Sequence, residues 1–266
     1  MIEHNGADAY APKEIAVRVE TAGVAKSKLA TIPTLVLAVL AGAFIAFGAM
    51  LYVVVITNSG LGFGPERLLG GVAFSLGLIL VLVGGAELFT GNSLIVFAWA
   101  DRKITGKSLL RNWGLVYLGN FIGATAIAVM VHWSGINNLA DGAVGATAMR
   151  IAEGKLALPP IEAFVRGILC NVLVCLAVWL CFAANSVAGK ILAIIFPISG
   201  FVALGFEHSV ANMYLIPAAW LAGSALITVE GYAANLLIVT IGNVIGGGLL
   251  VALVYWLVYR TDRQPG

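Results

Sequence analysis

The sequence predicts an all-α integral membrane protein with six transmembrane helices in two inverted three-helix repeats. Three observations predict this class. Hydrophobic residues make up 61% of the 266 residues, 11% are charged, and the mean hydropathy is +1.00, which excludes an ordinary soluble domain. Long apolar segments recur along the chain. The frame Gly-x-Glu-x-x-x-x-Asn occurs twice, at residues 85–92 and 205–212, each time inside such a segment.

Six apolar segments are candidate membrane spans, because one crossing needs about 20 residues. They cover residues 32–56, 68–100, 113–133, 167–184, 191–222 and 233–259. The second and fifth segments are too long for one straight pass and too short for two. Both contain the repeated frame with flanking glycines. We therefore expect the second and fifth helices to be broken at that point.

A second motif, Asn-x6-Gly-Asn-x-Ile-Gly, recurs at residues 112–123 and 235–246. The two motifs follow each other in the same order in both parts of the chain. They predict a first three-helix repeat over 32–134, an extracytoplasmic linker over 135–160 and a second repeat over 161–259. Three crossings are an odd number, so the second repeat enters the membrane inverted. Inverted repeats whose broken helices meet near the midplane are typical of transporters.

The polar ends of the chain predict the orientation in the membrane. Residues 1–31 read as a cytoplasmic N-terminal amphipathic helix that begins near Pro12 and lies at the membrane interface, with a frayed tail as the alternative. Lys and Arg number eleven in the pieces expected to be cytoplasmic, including the tail 260–266, and four on the other side. This bias predicts an inner-membrane protein with both termini cytoplasmic.

The glycine pairs Gly119/Gly123 and Gly242/Gly246 are small-xxx-small faces that suit close helix contact. Packing inside one subunit is the simpler interpretation, and a subunit interface is the alternative. The three cysteines lie in one hydrophobic segment and read as small packing residues with reduced thiols.

His208 is the residue that we expect to carry the function. It is the only one of the three histidines at a predicted helix break in the middle of a span, and a histidine that only packs is the competing interpretation. The unperturbed pKa of histidine is about 6.5, so the ring can become a cation or lend a proton near neutral pH. That chemistry suits a pore for small weak-acid anions.

The two repeated frames also supply carboxylates and amides. Glu87 and Glu207 are expected to support the helix breaks by accepting hydrogen bonds from exposed backbone N–H groups, with a proton relay as the alternative. Asn92, Asn212 and Asn171 are candidate orienting amides, or they satisfy local backbone.

Lys155 precedes the fourth segment on the predicted outer side, either as a solvated loop residue or as part of a positive mouth. Five large apolar residues are either core or dry constrictions on the two sides of the histidine. They are Phe74, Leu78, Leu88, Phe89 and Phe201.

These residues carry a resemblance to a known family. Gly-Ala-Glu-Leu-Phe-Thr-Gly-Asn at 85–92 and Gly-Phe-Glu-His-Ser-Val-Ala-Asn-Met at 205–213 resemble two signatures of the formate/nitrite transporter family. The asparagine motifs around Asn120 and Asn243 are also similar to it. The similarity runs from about Ala11 to Tyr259 and is greatest to the formate-channel branch.

The resemblance implies an aquaporin-like six-helix protomer with its own pore, assembled as a homopentamer. It implies a central histidine at His208, a helix-break threonine at Thr90, a pore-lining asparagine at Asn171 and a vestibule lysine at Lys155. The hydrophobic constrictions of the family fall on the five large apolar residues named above.

The expected function is a channel or transporter for small monovalent weak-acid anions, with formate first and proton coupling through His208. Nitrite or hydrosulfide is the alternative within the family. A neutral-solute channel of the aquaporin type is less favoured, because Asn-Pro-Ala is absent at both breaks. The chain has no His-Glu-x-x-His motif and no second histidine expected at mid-membrane, so we expect neither an enzyme nor a metal or cofactor. Nothing in the sequence suggests a nucleic-acid partner.

Overall fold

A computed structural model describes residues 9–260. Residues 1–8 of the predicted N-terminal helix segment and residues 261–266 of the predicted tail lie outside the described part. Within that part, five helices are long and apolar enough to cross a membrane. They are α2 (Thr31–Ile56), α3 (Phe63–Gly84), α5 (Gly106–Trp133), α7 (Pro160–Ala183) and α10 (Val229–Arg260).

The remaining helices are shorter. They are α1 (Pro12–Lys28), α4 (Gly91–Ala100), α6 (Ala143–Leu156), α8 (Val187–Ala203) and α9 (Ser209–Leu221). The predicted breaks are confirmed, because α3 and α4 are separated by residues 85–90 and α8 and α9 by residues 204–208. Each broken segment therefore contributes two helices and a short stretch of non-helical backbone inside the molecule.

The helices pack in two equivalent sets. In the first half α2 contacts α5 and α3, and in the second half α7 contacts α10 and α8 in the same way. Helices α3 and α8 pack against each other across the centre. The half-helices cross over, so that α9 contacts α5 and α4 contacts α10. This exchange of contacts is the one expected of two inverted repeats.

The two glycine pairs lie at helix contacts inside the chain. A Cβ at Gly123 would be 1.9 Å from the carbonyl oxygen of Val39, and one at Gly246 would be 2.1 Å from that of Ile168. Such distances are far inside van der Waals contact, so α2–α5 and α7–α10 approach as closely as they do only because these positions lack a side chain. Packing within one subunit thus accounts for both pairs.

Helix α1 forms where the sequence predicts it, but its apolar face does not lie against lipid. Ile15, Ala16 and Val19 are buried against the body of the protein, where α1 contacts α4, α5, α7 and α10. An ion pair between Glu20 and Arg260 joins α1 to the end of α10. Burial, together with a side-chain hydrogen bond to Asp101, raises the pKa of Glu20. The prediction of an interfacial helix is therefore corrected to a docked one.

Two other features were not predicted. The linker between the repeats contains α6, which packs on α9. Residues Ile245–Leu253 of α10 form a π-helix, in which Gly247 lies against α7. A Cβ at Gly247 would be 2.4 Å from Asn171 Nδ2 and 2.6 Å from Cys175 Sγ. Pi-helical turns are rare and frequently mark functional sites, and this one adjoins the residues described next.

Candidate functional site

The two helix breaks are built on glycine in the left-handed conformation. Gly85 has φ +84° and Gly205 has φ +71°, values that residues with a Cβ adopt only with strain. Both positions end a helix, and the chain then runs non-helically towards the centre of the protein. The backbone N–H of Glu87 donates to the carbonyl of Leu37, and that of Glu207 to the carbonyl of Arg166, each at 3.2 Å.

Two asparagines satisfy the backbone that the breaks leave unpaired. Asn120 donates to the carbonyls of Ala38 and Glu87 at 2.7 and 2.9 Å and accepts from the N–H of Phe89 at 2.9 Å. Asn243 donates to the carbonyls of Gly167 and Glu207 at the same two distances and accepts from the N–H of Ser209 at 2.9 Å. One amide side chain thereby replaces the missing helical partners in each half.

Each break also carries a buried ion pair. Glu87 Oε1 lies 2.5 Å from Lys26 Nζ, and Glu87 Oε2 accepts from Asn92 Nδ2 at 2.7 Å. The same Asn92 amide donates to Asn112 Oδ1 at 3.0 Å. Asn112 Nδ2 in turn donates to the backbone carbonyl of Lys26 at 3.3 Å. The four side chains form a closed network in which both carboxylate oxygens have a partner.

The second half repeats this network with different residues in the same roles. Glu207 Oε1 lies 2.8 Å from Lys155 Nζ, and Glu207 Oε2 accepts from Asn212 Nδ2 at 2.8 Å. Asn212 donates to Asn235 Oδ1 at 2.8 Å, and Asn235 donates to the carbonyl of Lys155 at 3.4 Å. Every bond of the first network has a counterpart here.

These contacts correct the predicted partners of the carboxylates. Glu87 and Glu207 were expected to accept from backbone N–H groups, whereas in the structure they accept from a lysine and an asparagine side chain, and the asparagines Asn120 and Asn243 take the backbone groups. The sequence does not predict that Lys26 belongs to the site, because this residue lies in α1, outside both predicted repeats. Lys155 lies near the end of α6 and faces into the protein rather than lying in a loop.

His208 and Thr90 meet at the centre, one from each half. His208 Nδ1 caps α9 by accepting from the N–H of Ala211 at 3.0 Å, and Nε2 lies 2.9 Å from Thr90 Oγ1. The cap bond requires Nδ1 to be unprotonated, so in the neutral ring the proton is on Nε2, which then donates to Thr90. The Phe201 ring stacks on the imidazole with centroids 5.8 Å apart and planes at 17°.

Asn171 makes hydrogen bonds to the backbone of Thr90 and to its neighbours. It is fully buried and its Nδ2 donates to the carbonyls of Asn243 and Thr90, at 2.6 and 3.2 Å, and to Ser93 Oγ at 3.1 Å. The thiol of Cys175 also contacts the carbonyl of Thr90 at 3.4 Å. Asn171 lines neither of the two cavities described below, so its contacts are those of a positioning residue rather than of a pore wall.

Two cavities approach the His208–Thr90 pair from opposite faces. The distal cavity, on the face away from α1, has a volume of about 570 Å³ and reaches Phe74, Phe201, Lys155 and His208. The proximal cavity, on the α1 face, has a volume of about 120 Å³ and ends at Leu78 and Leu88, below Lys26. The two share no lining residue, so a seal of buried side chains separates them.

The seal consists of four of the five predicted constriction residues. Phe74 packs edge-on against Phe201 with centroids 5.6 Å apart, on the distal side, and Leu78 and Leu88 close the proximal side. All four are less than 5% exposed. Phe89 instead packs on Trp113 and Tyr117, with ring centroids 6.1 and 5.0 Å away. It belongs to the contact with α5 rather than to the path between the cavities.

The arrangement suits the passage of a small anion. Lysines stand at both mouths, apolar side chains exclude water between them, and the His208–Thr90 pair lies where the distal cavity meets that apolar region. Residues 9–260 contain no group of three His, Cys, Asp or Glu side chains that could hold a metal ion.

Comparison with known proteins identifies the same fold. A model of the formate/nitrite transporter family matches residues 13–257. The formate channel FocA of Escherichia coli (strain K12) is 41% identical over 279 residues, which cover 98% of each chain. A solved pentameric formate channel with formate bound is 40% identical with a TM-score of 0.79, over 86% of this chain and 97% of that one. A solved FNT family ion channel is 30% identical with a TM-score of 0.85, over 92% and 98%.

Replacing Glu207 with alanine is expected to destabilise the fold, because it leaves the Lys155 ammonium and the Asn212 amide without their partner in a buried site. Removing one member of a buried pair costs about 3–5 kcal/mol. The matched control is Glu162→Ala, whose pair with Arg166 is exposed and spaced i,i+4, so about 0.5 kcal/mol is expected. Thermal unfolding of the purified proteins in detergent measures the difference. A Glu207→Ala protein as stable as the control, with altered pH dependence of transport, would support a proton relay instead.

Proposed function

Because this chain belongs to the formate/nitrite transporter family, we propose that it is a membrane channel for formate. The observation that carries the proposal is the His208–Thr90 pair, enclosed by an apolar seal between two cavities that each present a lysine. Its similarity over nearly the whole chain to proteins described as formate channels supports formate as the substrate.

In the first step of the proposed mechanism, Lys26 and Lys155 attract the anion. Lys26 and Lys155 remain partly exposed, with 32% and 15% of their side chains accessible, while their paired carboxylates are almost fully covered. An anion that enters either cavity therefore meets more of the ammonium than of the glutamate paired with it. The attraction raises the local concentration of small anions at both ends of the seal.

The seal is the barrier that the mechanism must lower. A charged group in an apolar environment costs several kcal/mol or more, and the four apolar side chains offer the anion no hydrogen bond. A formate ion that accepts a proton crosses as neutral formic acid and avoids that cost. His208 is the group that can lend the proton. Beside an anion the ring takes up a second proton from water in the distal cavity, and Nε2–H of the imidazolium then transfers H⁺ to the carboxylate, which leaves a neutral ring with its proton on Nδ1.

The hydrogen bond that caps α9 favours the starting protonation state of the His208 ring after each proton transfer. Only a ring with an unprotonated Nδ1 accepts the N–H of Ala211, so the imidazolium exists at the expense of the α9 cap. Loss of such a cap costs about 1 kcal/mol. After the transfer the ring carries its proton on Nδ1, and the cap favours loss of that proton to water and its replacement on Nε2, which restores the tautomer that accepts the N–H of Ala211.

We also propose that the two three-helix repeats supply different groups to the transport site. We assign residues 32–134 and 161–259 to the two repeats and residues 135–160 to the linker that supplies Lys155. Each half contributes one ion pair and one break, and the halves differ in the centre, where one supplies His208 and the other Thr90.

Formate should cross proteoliposomes containing this chain faster than nitrite, hydrosulfide or chloride at equal concentration. Similarity to proteins described as formate channels supports formate over nitrite and hydrosulfide. Chloride should be slower because it cannot be protonated near neutral pH and so cannot cross the seal uncharged. Stopped-flow light scattering with each salt measures the four fluxes side by side. A higher flux of nitrite or of hydrosulfide would assign the other substrate, and equal flux of chloride would remove the weak-acid mechanism.

Formate flux should rise as pH falls, by up to about tenfold per pH unit, because each proton that His208 passes to the anion comes from water, where the proton activity changes by that factor. His208→Phe should flatten the profile, since phenylalanine carries no proton. The matched control is His132→Phe, at the exposed end of α5, which should keep the wild-type profile. A pH response that survives in His208→Phe would refute the assignment of the proton to this ring.

We also propose a homopentamer whose termini are both cytoplasmic. A solved relative described as pentameric supports the assembly, and the excess of Lys and Arg on the α1 face supports the orientation. Large apolar side chains on the outside of the subunit are available for lipid or for neighbouring copies, among them Met130, Leu118 and Phe196.

Light scattering of the detergent complex should give a protein mass of five times 27.7 kDa.

A green fluorescent protein fused after residue 266 should fluoresce, because it folds in the cytoplasm and not after export in unfolded form. A monomer mass would refute the assembly, and a dark fusion accompanied by an active alkaline phosphatase fusion would reverse the orientation.

A further inference from the structure

The distal cavity gathers all the basic residues that the sequence places on its side of the membrane. The four are Arg67, Arg150, Lys155 and Arg166, and all of them line this one cavity. Two acidic residues line it as well, Glu66 and Glu207. The positive-inside rule makes such residues uncommon on this face, so their collection around one cavity needs a reason.

The acids do not neutralise the arginines. Glu207 pairs with Lys155, and Glu66 accepts from the hydroxyl of Ser59 at 2.5 Å. Arg166 pairs with Glu162, which is 49% exposed and does not line the cavity. Among residues 9–260, neither Arg67 nor Arg150 makes an ion pair. The cavity therefore holds uncompensated positive charge.

Two of the guanidinium groups converge on the second helix break. A Cβ at Gly205 would lie 2.7 Å from one terminal nitrogen of Arg67 and 3.8 Å from one of Arg166. Both side chains are held in place by the end of α8: Arg67 Nε donates to the carbonyl of Ala203 at 2.9 Å, and Arg166 donates to the carbonyl of Gly205 at 3.5 Å. The negative end of the helix dipole favours cations at this point.

These anchors use few of the donors. Each guanidinium has five N–H groups in a planar fork. The carbonyls of Ala203 and Gly205 take one from each, and Glu162 takes one more from Arg166. Two like charges fixed side by side repel each other, and an anion that accepts from both removes the repulsion. A planar anion with two oxygens fits the fork with two parallel hydrogen bonds, whereas a halide ion cannot form that pattern.

We propose that Arg67 and Arg166 form an oxyanion-binding site at Gly205, which holds a small carboxylate or a similar planar oxyanion before it reaches Lys155 and His208. The proposal rests on the proposed function for the choice of formate as ligand. Arg150 is exposed and has no anchor, so it contributes long-range attraction only. The proximal cavity is lined by Lys26 and Lys190 and by no arginine, so binding by paired guanidinium groups belongs to the distal face alone.

The test measures formate transport from each face in right-side-out and inside-out membrane vesicles. Arg67→Gln and Arg166→Gln should each raise the half-saturating formate concentration at the distal face by about tenfold, the value of one charge-assisted hydrogen bond. The maximal flux and the half-saturating concentration at the proximal face should not change. A protein that had only lost its fold would lose flux from both faces.

Two further variants separate a shaped site from general attraction. Arg67→Lys keeps the charge and loses the fork, so it should behave like Arg67→Gln. Arg150→Gln should give only a shift that disappears at about 0.15 M salt, where exposed charges are screened beyond about 8 Å. Wild-type affinity in Arg67→Lys would overturn the site and leave only electrostatic steering.

Equilibrium binding of radiolabelled formate to the purified channel separates this proposal from the proposed function. Loss of binding in Arg67→Gln, with no formate flux in the wild type, would support the site and refute the formate channel. Normal formate flux with the same half-saturating concentration in wild type, Arg67→Gln and Arg166→Gln would refute the site and leave the channel intact.

Discussion

The whole structure depends on satisfying interrupted backbone in a place where water cannot do so. At the two breaks the backbone N–H groups of Glu87, Phe89, Glu207 and Ser209 have no partner within their own helix, yet they lie within segments of membrane length. An unsatisfied amide or carbonyl costs several kcal/mol in an apolar environment. Asn120 and Asn243 remove that cost by pairing with three backbone groups each. Without these two side chains the breaks could not exist, and without the breaks His208 and Thr90 could not meet.

The ion pairs hold the breaks in register with the outer helices. Lys26 comes from α1 and Lys155 from α6, and both helices lie outside the bundle of long spans. Through its pair with Glu87, α1 is bonded directly to the first break, and α6 is bonded to the second through Glu207. The two short helices are thereby bonded to the breaks themselves, and any displacement of either one would expose a buried carboxylate.

The breaks and the glycine contacts were predictable from the sequence, because the two motifs recur at nearly constant offset. His208 was predictable for a different reason: it is the one ionisable residue in the two frames without a counterpart in the other half. Lys26 was not predictable in this way. It is 129 positions before Lys155, whereas the glutamates are 120 apart, because the connections before each repeat differ in length. Phe89 and Asn171 illustrate a second limit. The sequence pattern around an apolar or amide residue does not show whether its side chain lines a cavity or packs behind the residues that do.

The symmetry of the scaffold explains why its function is confined to so few residues. Lysine, glutamate and three asparagines correspond one to one between the halves, and their role is to keep the two breaks at the centre. Within the two frames the correspondence fails at several positions, among them the pairs His208/Leu88 and Thr90/Val210. The polar member of each pair comes from a different half, and these two polar side chains bond to each other. In this pair Nε2–H donates to Thr90 Oγ1, so the hydroxyl hydrogen of Thr90 remains as a donor beside the imidazole. The asymmetry between the halves therefore places one titratable ring and one hydroxyl donor together, where a strictly symmetric pair of frames would supply two copies of the same side chain.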